Sequence, residues 1–266
     1  MRPLLRHLTG CIALSLLAMP IACSGGGGGD TSYKEPNTSL AYYNNPANPR
    51  PAETDYITVT NVIITSVDEF DETNTGAVGN LYVQDVGTDV QPYSGITVYN
   101  PSFIPPDLKI FVGDVVDIRS PYMEFAGPST SPFQGGATLP ELSGANVKFR
   151  FESPAAPIPK LITPDDLYDY ASGRKWLGVY VEMRDVTLYS DLEDDGKGRF
   201  SARLALADMA GKQLAMYPKV ANSLCNFNDY AATMKKGTKW NIKGIVQYFF
   251  NFSITPRSKD EIQPAQ

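Results

Sequence analysis

The sequence predicts an all-β protein made of two copies of one five-stranded barrel, and three observations carry that expectation. From Asp55 onward, short alternating runs of β-branched and aromatic residues are separated by Gly, Pro, Asn and Asp, the pattern of strands and turns. Ile57, Val59, Val62 and Ile64 recur 124 residues later as Val181, Met183, Val186 and Leu188. In both copies the two-residue alternation slips in the middle, between 59 and 62 and between 183 and 186, which is what a β-bulge in a long bent strand produces.

The remaining elements follow in order. Leu81-Tyr82-Val83-Gln84-Asp85 is matched with Leu204-Ala205-Leu206-Ala207-Asp208, and Ile96 to Tyr99 with Gln213 to Tyr217. Gly113-Asp114-Val115-Val116-Asp117-Ile118 is matched with Gly237-Thr238-Lys239-Trp240-Asn241-Ile242. Each copy thus has a long bent strand, a hairpin, a third strand, a connection, and a glycine followed by two more strands. That plan describes a closed OB-type Greek-key barrel, so the chain is expected to hold two in tandem. Two stretches read as helical. In one, Thr163 is the N-cap, Pro164 the first helical residue, Asp165 and Asp166 face the positive end of the dipole, and Gly173 is the stop. The other runs from Asn228 to Lys236 and stops at Gly237. The expected boundaries are 55–160 for the first barrel, 161–175 for a linker helix and 176–266 for the second barrel.

Residues 1–22 have the three parts of an export signal: Arg2, Arg6 and His7, an apolar run from Leu8 to Met19, and Ile21-Ala22 before Cys23. The run is shorter than the roughly 20 residues that span a bilayer, and Gly25 to Gly29 would end a helix there. This segment resembles the signal sequence of bacterial lipoproteins, with Ala22 and Cys23 in the last two positions of the lipobox and Pro20 where that family prefers Leu or Val. The resemblance implies cleavage before Cys23 and a lipid anchor on its sulfur. Ser24, with no Asp after the cysteine, resembles the pattern of proteins sent to the outer membrane. Residues 23–54 read as the lipidated Cys and a Gly/Pro-rich tether, which as a flexible coil would reach about 30 Å from the membrane. Tyr42 and Tyr43 are its one bulky pair, able to dock on the folded part.

The strand plan, with Tyr82-Val83-Gln84-Asp85 closing a strand, Val112-Gly113-Asp114-Val115-Val116 opening another and Thr255-Pro256-Arg257 near the end, resembles the tandem OB-fold modules of secreted bacterial proteins. Some of these accompany extracellular nucleases and others are stand-alone envelope lipoproteins. The resemblance spans roughly residues 55–262 and implies a binding role rather than a chemistry.

Composition narrows the function. The formal charge is −6, and loss of Arg2 and Arg6 with the signal leaves the mature chain more acidic, which disfavours indiscriminate binding to phosphate backbones. The single histidine, His7, lies in the signal. A mature chain without imidazole has no Ser-His-Asp or Cys-His catalysis, no histidine metal site and no group of unperturbed pKa near neutrality. No spacing argues for carboxylate, Lys or Tyr catalysis, so no catalytic residue is expected. Once Cys11 and Cys23 are set aside, Cys225 has no partner and is expected to act as a small buried hydrophobe.

Three features are candidate sites. Asp191, Glu193 and Asp195, followed by Gly196, resemble the start of a calcium loop, so Ca2+ is the one cofactor this chain could take. The twelfth position is Ala202, not the bidentate carboxylate of an EF-hand, and an acidic hairpin explains the run more simply. Asp68-Glu69-Phe70-Asp71-Glu72 is the corresponding run of the first copy. Tyr248, Phe250 and Phe252 are candidates for a binding surface, although alternation buries about half of such a run. For nucleic acid, the only basic cluster is Lys235, Lys236, Lys239 and Lys243. The Pro/Gly/Ser-rich insertion Ala126 to Pro140 is a candidate loop for a protein or glycan of the envelope. The expectation is a lipid-anchored binding protein of the outer membrane or cell surface, without catalytic activity. The alternative is an accessory nucleic-acid-binding module beside a secreted nuclease.

Overall fold

In the computed structural model the chain is described for residues 39–52, 55–68, 79–133, 137–196, 198–225 and 227–265. The expected export signal over residues 1–22, Cys23 and the glycine run lie outside these residues. The fold is all-β, with two sheets that each curl into a barrel-like ring.

The first sheet holds β1 (Tyr56–Asp68), β2 (Asn80–Asp85), β3 (Gly95–Tyr99), β4 (Ser102–Ile104), β5 (Asp114–Ala126), β6 (Thr138–Ser143) and β7 (Asn146–Glu152). The ring closes in the order β1-β2-β3-β6-β5-β1, with every pairing antiparallel except β3 with β6. This is the Greek-key order of a small five-stranded barrel. The second sheet holds β8 (Lys160–Leu161), β9 (Tyr180–Thr187), β10 (Glu193–Asp194), β11 (Phe200–Arg203), β12 (Lys219–Ala221), β13 (Lys239–Tyr248), β14 (Phe252–Thr255) and β15 (Ile262–Pro264). Its order is β11-β12-β14-β13-β9, again with one parallel pair, β12 with β14. A single bridge from Leu188 to Leu204 closes this ring.

The phase slip read from the sequence is a bulge in both barrels. Between Val59 and Val62 the first strand spends one residue more than its partner, and the same occurs between Met183 and Val186. The extra residue is accommodated by a left-handed backbone at Asn61 (φ 54°) and Asp185 (φ 53°). Each of these backbone N–H groups donates across the ladder, Asn61 to Asp117 Oδ1 at 3.0 Å and Asp185 to Asn241 Oδ1 at 2.9 Å. Gly113 and Gly237, at φ 98° and 84°, each donate at 2.8 Å to the end of the first strand, at Ile64 and Leu188. All these pairs keep the spacing of 124 residues.

The second and third strands of the repeat are placed differently from the sequence match. Ile64 faces Val83, and its counterpart Leu188 faces Leu204, so Leu204 answers Val83 and not Leu81. A slip of two residues leaves every side chain on the same face, so hydrophobic alternation cannot detect it. The third strand of the second barrel is β12, not Gln213 to Tyr217. That stretch forms a 3-10 turn at Leu214–Met216, and Pro218 precedes the strand.

The linker is three short pieces instead of one helix: a 3-10 turn (Pro164–Leu167), α2 (Tyr170–Gly173) and a second 3-10 turn (Arg174–Trp176). Asp166 accepts from the Thr163 N–H at 2.8 Å, and Asp169 starts a new cap by accepting from Ser172 N–H at 2.9 Å. Two N-caps so close together divide one helix into two. The segment 228–236 is likewise a 3-10 turn (Asn228–Tyr230) with further turns. Among the described residues no helix is long and apolar enough to cross a membrane.

The folded body also begins upstream of residue 55. Ser39 caps α1 (Leu40–Asn44), and Asp85 accepts from the Leu40 and Ala41 N–H groups at 2.8 and 2.9 Å. Leu40 is fully buried in the first barrel's core and Tyr43 packs against that core. The tether expected over 24–54 is therefore corrected for its last part, because one leucine and one capped turn seat it.

Candidate binding cleft between the barrels

Two glycines let the barrels meet backbone to backbone. A Cβ on Gly95 of β3 would lie 2.4 Å from Gly178 C, and one on Gly178 (φ 71°) would lie 2.5 Å from Ile96 N. Any side chain there would push the barrels apart. Around this point Tyr93 N–H donates to the Lys175 carbonyl at 2.6 Å, Tyr180 N–H to Gln84 Oε1 at 3.2 Å and Gln247 Nε2 to Tyr82 OH at 2.6 Å. Arg257 reaches from the second barrel to the Thr65 carbonyl at 2.6 Å and lies over the Tyr180 ring at 3.7 Å. Tyr82, Gln84, Asp85 and Arg257, quoted above for a family resemblance, thus serve the junction and the α1 cap.

On the flank of the junction, Arg174 and Glu124 form an ion pair at 2.6 Å with side chains 5% and 10% exposed. Arg174 also donates to Thr138 Oγ1 at 2.9 Å and to Tyr170 OH at 3.0 Å. Burial pushes Glu124 up, but the hydrogen bond from Thr138 and the charge and hydrogen bond of Arg174 outweigh it, so its pKa is lowered. These partners offset much of the cost of burying the two charges, with Arg174 Nε left buried without a hydrogen-bond partner among the described residues.

The insertion Ala126 to Pro140 is part of this junction, which corrects its reading as a free binding loop. Phe133 is buried in the second barrel's core against Tyr248 and Phe252, with ring centroids 6.0 and 5.4 Å away. Ser131 Oγ and Tyr248 OH share a hydrogen bond of 2.8 Å, and Thr138 N–H donates to Tyr170 OH at 2.7 Å. The insertion is a strap from one barrel to the other. Its missed signal was Phe133, with Leu139 the only other large apolar residue in the stretch, and both pack on the second barrel's core.

That packing also decides the aromatic candidates. Tyr248 and Phe252 are 3% and 0% exposed, so neither offers a stacking face, and the expectation for them is corrected. They point inward because alternation along β13 and β14 sends them to the core. Phe250 remains exposed beside Phe249, their rings 4.5 Å apart at the turn between the two strands.

Above the contact point the barrels leave a cleft of about 350 Å3, with Asn80, Tyr82, Tyr99 and Glu141 on one side and Gln247 and Phe249 on the other. The first four lie on one face, since Asn80 is opposite Tyr99, while Tyr82 and Glu141 are both opposite Thr97. Among the described residues lining the cleft none is Lys or Arg, and Asp68 adds a second carboxylate. Glu141 is half-buried, and burial alone raises its pKa to about 7, with no described partner to offset it. Asn80 Oδ1 is buried and accepts no hydrogen bond from the described residues. Sequence reasoning missed this cleft because Glu141 occupies an ordinary outward position of a strand, and the cleft it lines exists only where the second barrel meets the first.

At the acidic hairpin Asp191 Oδ1 accepts the Lys236 N–H at 2.8 Å, and Asp195 Oδ2 lies 3.4 Å from Arg199 Nε. Asp194, not singled out above, accepts from Gly196 and Gly198 N–H at 3.0 Å each. Glu193 sits on the short strand β10 and is exposed. Among the described residues no group of three or more His, Cys, Asp or Glu is placed to hold a metal ion. Of the first-copy run only Asp68 is described; Glu69 to Glu72 lie outside the described residues.

The lysines form no basic groove. Lys235 is 4.0 Å from Asp191, Lys239 is 2.9 Å from Asp185, Lys236 covers the Tyr189 ring at 5.4 Å and Lys243 is paired in register with Glu182. Cys225 packs against the second core, and burial raises its thiol to about 11, which leaves it a poor nucleophile.

The sequence matches no protein-family model and no curated protein.

Proposed function

We propose that this chain is an exported, lipid-anchored binding protein of the cell envelope, without catalytic activity, that takes its ligand in the cleft between the two barrels. The observation that carries this reading is the cleft itself: a concave, aromatic-lined space holding a desolvated carboxylate, between barrels fixed by buried hydrogen bonds. A concave site with a few convergent polar groups and one strongly perturbed carboxyl is where a ligand is expected. The anchor rests on Ala22-Cys23 and the glycine run that follows.

The second reading is an accessory nucleic-acid-binding module, favoured by the exposed Phe249 and Phe250, which could stack on unpaired bases. A cleft with no Lys or Arg among its described lining residues works against it, because phosphate contacts supply most of such affinity.

The test is photo-crosslinking in cells from position 249, together with a gel shift of labelled single-stranded DNA at low salt. The proposal expects adducts with envelope material, a membrane-bound protein and no DNA shift. A soluble protein that forms no adducts contradicts it, and a salt-sensitive DNA shift moves the assignment to the second reading.

A further inference from the structure

We propose that the cleft is a site for an organic cation on an aliphatic stem, with Glu141 as its counter-ion. The proposal rests on the binding-protein reading and names the ligand class for its site.

Sign of charge is the first argument. Glu141 and Asp68 are the charged groups among the described residues of the lining, and both are acidic. An anionic ligand would meet repulsion, with no Lys or Arg among the described lining residues to offset it. A neutral ligand would leave the Glu141 charge desolvated and unpaired, whereas a cation restores what burial removes.

Position is the second argument. Glu141 on β6 and Tyr82 on β2 lie on the same face of the sheet, one on each side of Thr97, and Tyr99 is two residues further along β3. Across the cleft Gln247 Nε2 is held by Tyr82 OH, and Gln247 Oε1 accepts from Ser223 at 2.7 Å. Tyr82 is only 5% exposed and serves as wall, so it is the partly exposed ring of Tyr99 that attracts a cation through its quadrupole, while Glu141 does so through charge. Phe249, 62% exposed at the mouth, gives the aliphatic stem an apolar surface. A volume of about 350 Å3 suits one such group and its stem.

Two sources share this chemistry: a lysyl or arginyl side chain of a partner protein, and a free polyamine. The experiment is calorimetric titration of the full chain in detergent micelles. The probes are 1,5-diaminopentane and an end-blocked peptide Gly-Gly-Lys-Gly-Gly, with the same peptide acetylated on lysine as the uncharged control. Binding of the diamine, the lysyl peptide or both is expected, with none by the acetylated peptide. Affinity is expected to fall at least tenfold in Glu141→Gln, with no drop in melting temperature, and several-fold in Phe249→Ala. Tighter binding of the peptide points to a protein partner, and of the diamine to a free amine. Should Glu141→Gln fold poorly, Thr97→Lys places an internal cation against Glu141 and is expected to abolish binding in the same way.

The proposal is overturned if neither amine binds, or if both bind Glu141→Gln and Thr97→Lys unchanged. Maltotriose and a short oligothymidylate are titrated in parallel to separate the two levels of inference. Binding of either, weakened by Phe249→Ala, overturns the cation while the binding cleft stands. With no probe bound and no adducts from position 249 in cells, both readings fall.

Discussion

At Asn61 and at Asp185 the chain makes the same left-handed step, donates to the same position on the facing strand and resumes the same ladder. At the face where the barrels touch, structurally equivalent positions part company. Tyr82 and Arg203 are equivalent by register, as are Glu141 and Ser253, yet only the first of each pair lines the cleft. Residues that bend and close a barrel are present twice, because each copy must solve the same backbone problem. Residues that join the barrels or face the cleft occur once. The difference separates what the fold needs from what this particular pair of barrels needs.

Substitutions can break that comparison. The largest effect is expected at the junction: Arg174→Ala leaves the buried Glu124 with hydrogen bonds from Thr138 and Tyr122 and, of its two cations, only the half-exposed Arg50 at 3.0 Å, and should cost about 3 kcal/mol in denaturant unfolding. A cost within about 0.5 kcal/mol would show that the pair does not join the barrels. Next, Gly95→Ala drives a methyl to within 2.4 Å of the Gly178 backbone and should cost about 3 kcal/mol, the upper part of the overpacking range. Gly196→Ala, with open space around it despite φ 80°, should cost only about 1 kcal/mol from backbone conformation. Equal costs at the two glycines would contradict the close approach of the barrels.

The cleft makes a prediction in pH. Glu141 titrates near 4.5 when unfolded and near 7 when folded, so between these values the folded state holds a proton that the unfolded state has lost. Its contribution to stability is complete below the lower value, is lost as pH rises through the window, and is gone above the upper one. Glu141→Gln should flatten that slope and stabilise the protein at pH 8 by about 1–3 kcal/mol, read from denaturant midpoints at pH 4.5 and 8. A parallel pH profile in the variant would place Glu141 in water. The smallest effect is expected at the acidic hairpin, where Asp195→Ala should change stability by about 0.5 kcal/mol or less. Added calcium should leave the melting temperature of both forms unchanged. A rise with calcium that Asp195→Ala removes would establish a site.

Most of the barrel plan was legible in the sequence, because a bulge and a positive-φ glycine are local demands that leave local marks. The slip between 59 and 62 has its cause in Asn61, and the glycines before the fourth strand of each copy, Gly113 and Gly237, have theirs in their left-handed backbones. A register shift of two residues left no mark, so Leu204 was matched with the wrong residue of the first copy. The break of the linker at Asp169 was visible only as a second capping residue within a helical pattern. The junction was not legible at all. Tyr82, Gln84 and Glu141 are ordinary residues on the outward face of ordinary strands, and their roles arise from a second barrel placed against them. Phe133 illustrates the same point, since one aromatic among Gly, Pro and Ser reads as loop until its receiving core is known.

Differential scanning calorimetry of the full chain tests most directly whether the shared buried network makes one body of the two barrels. One transition is predicted, with its calorimetric and van't Hoff enthalpies equal. Two separable transitions, or one whose van't Hoff enthalpy is about half the calorimetric value, would show barrels that fold and melt independently, and would contradict the account.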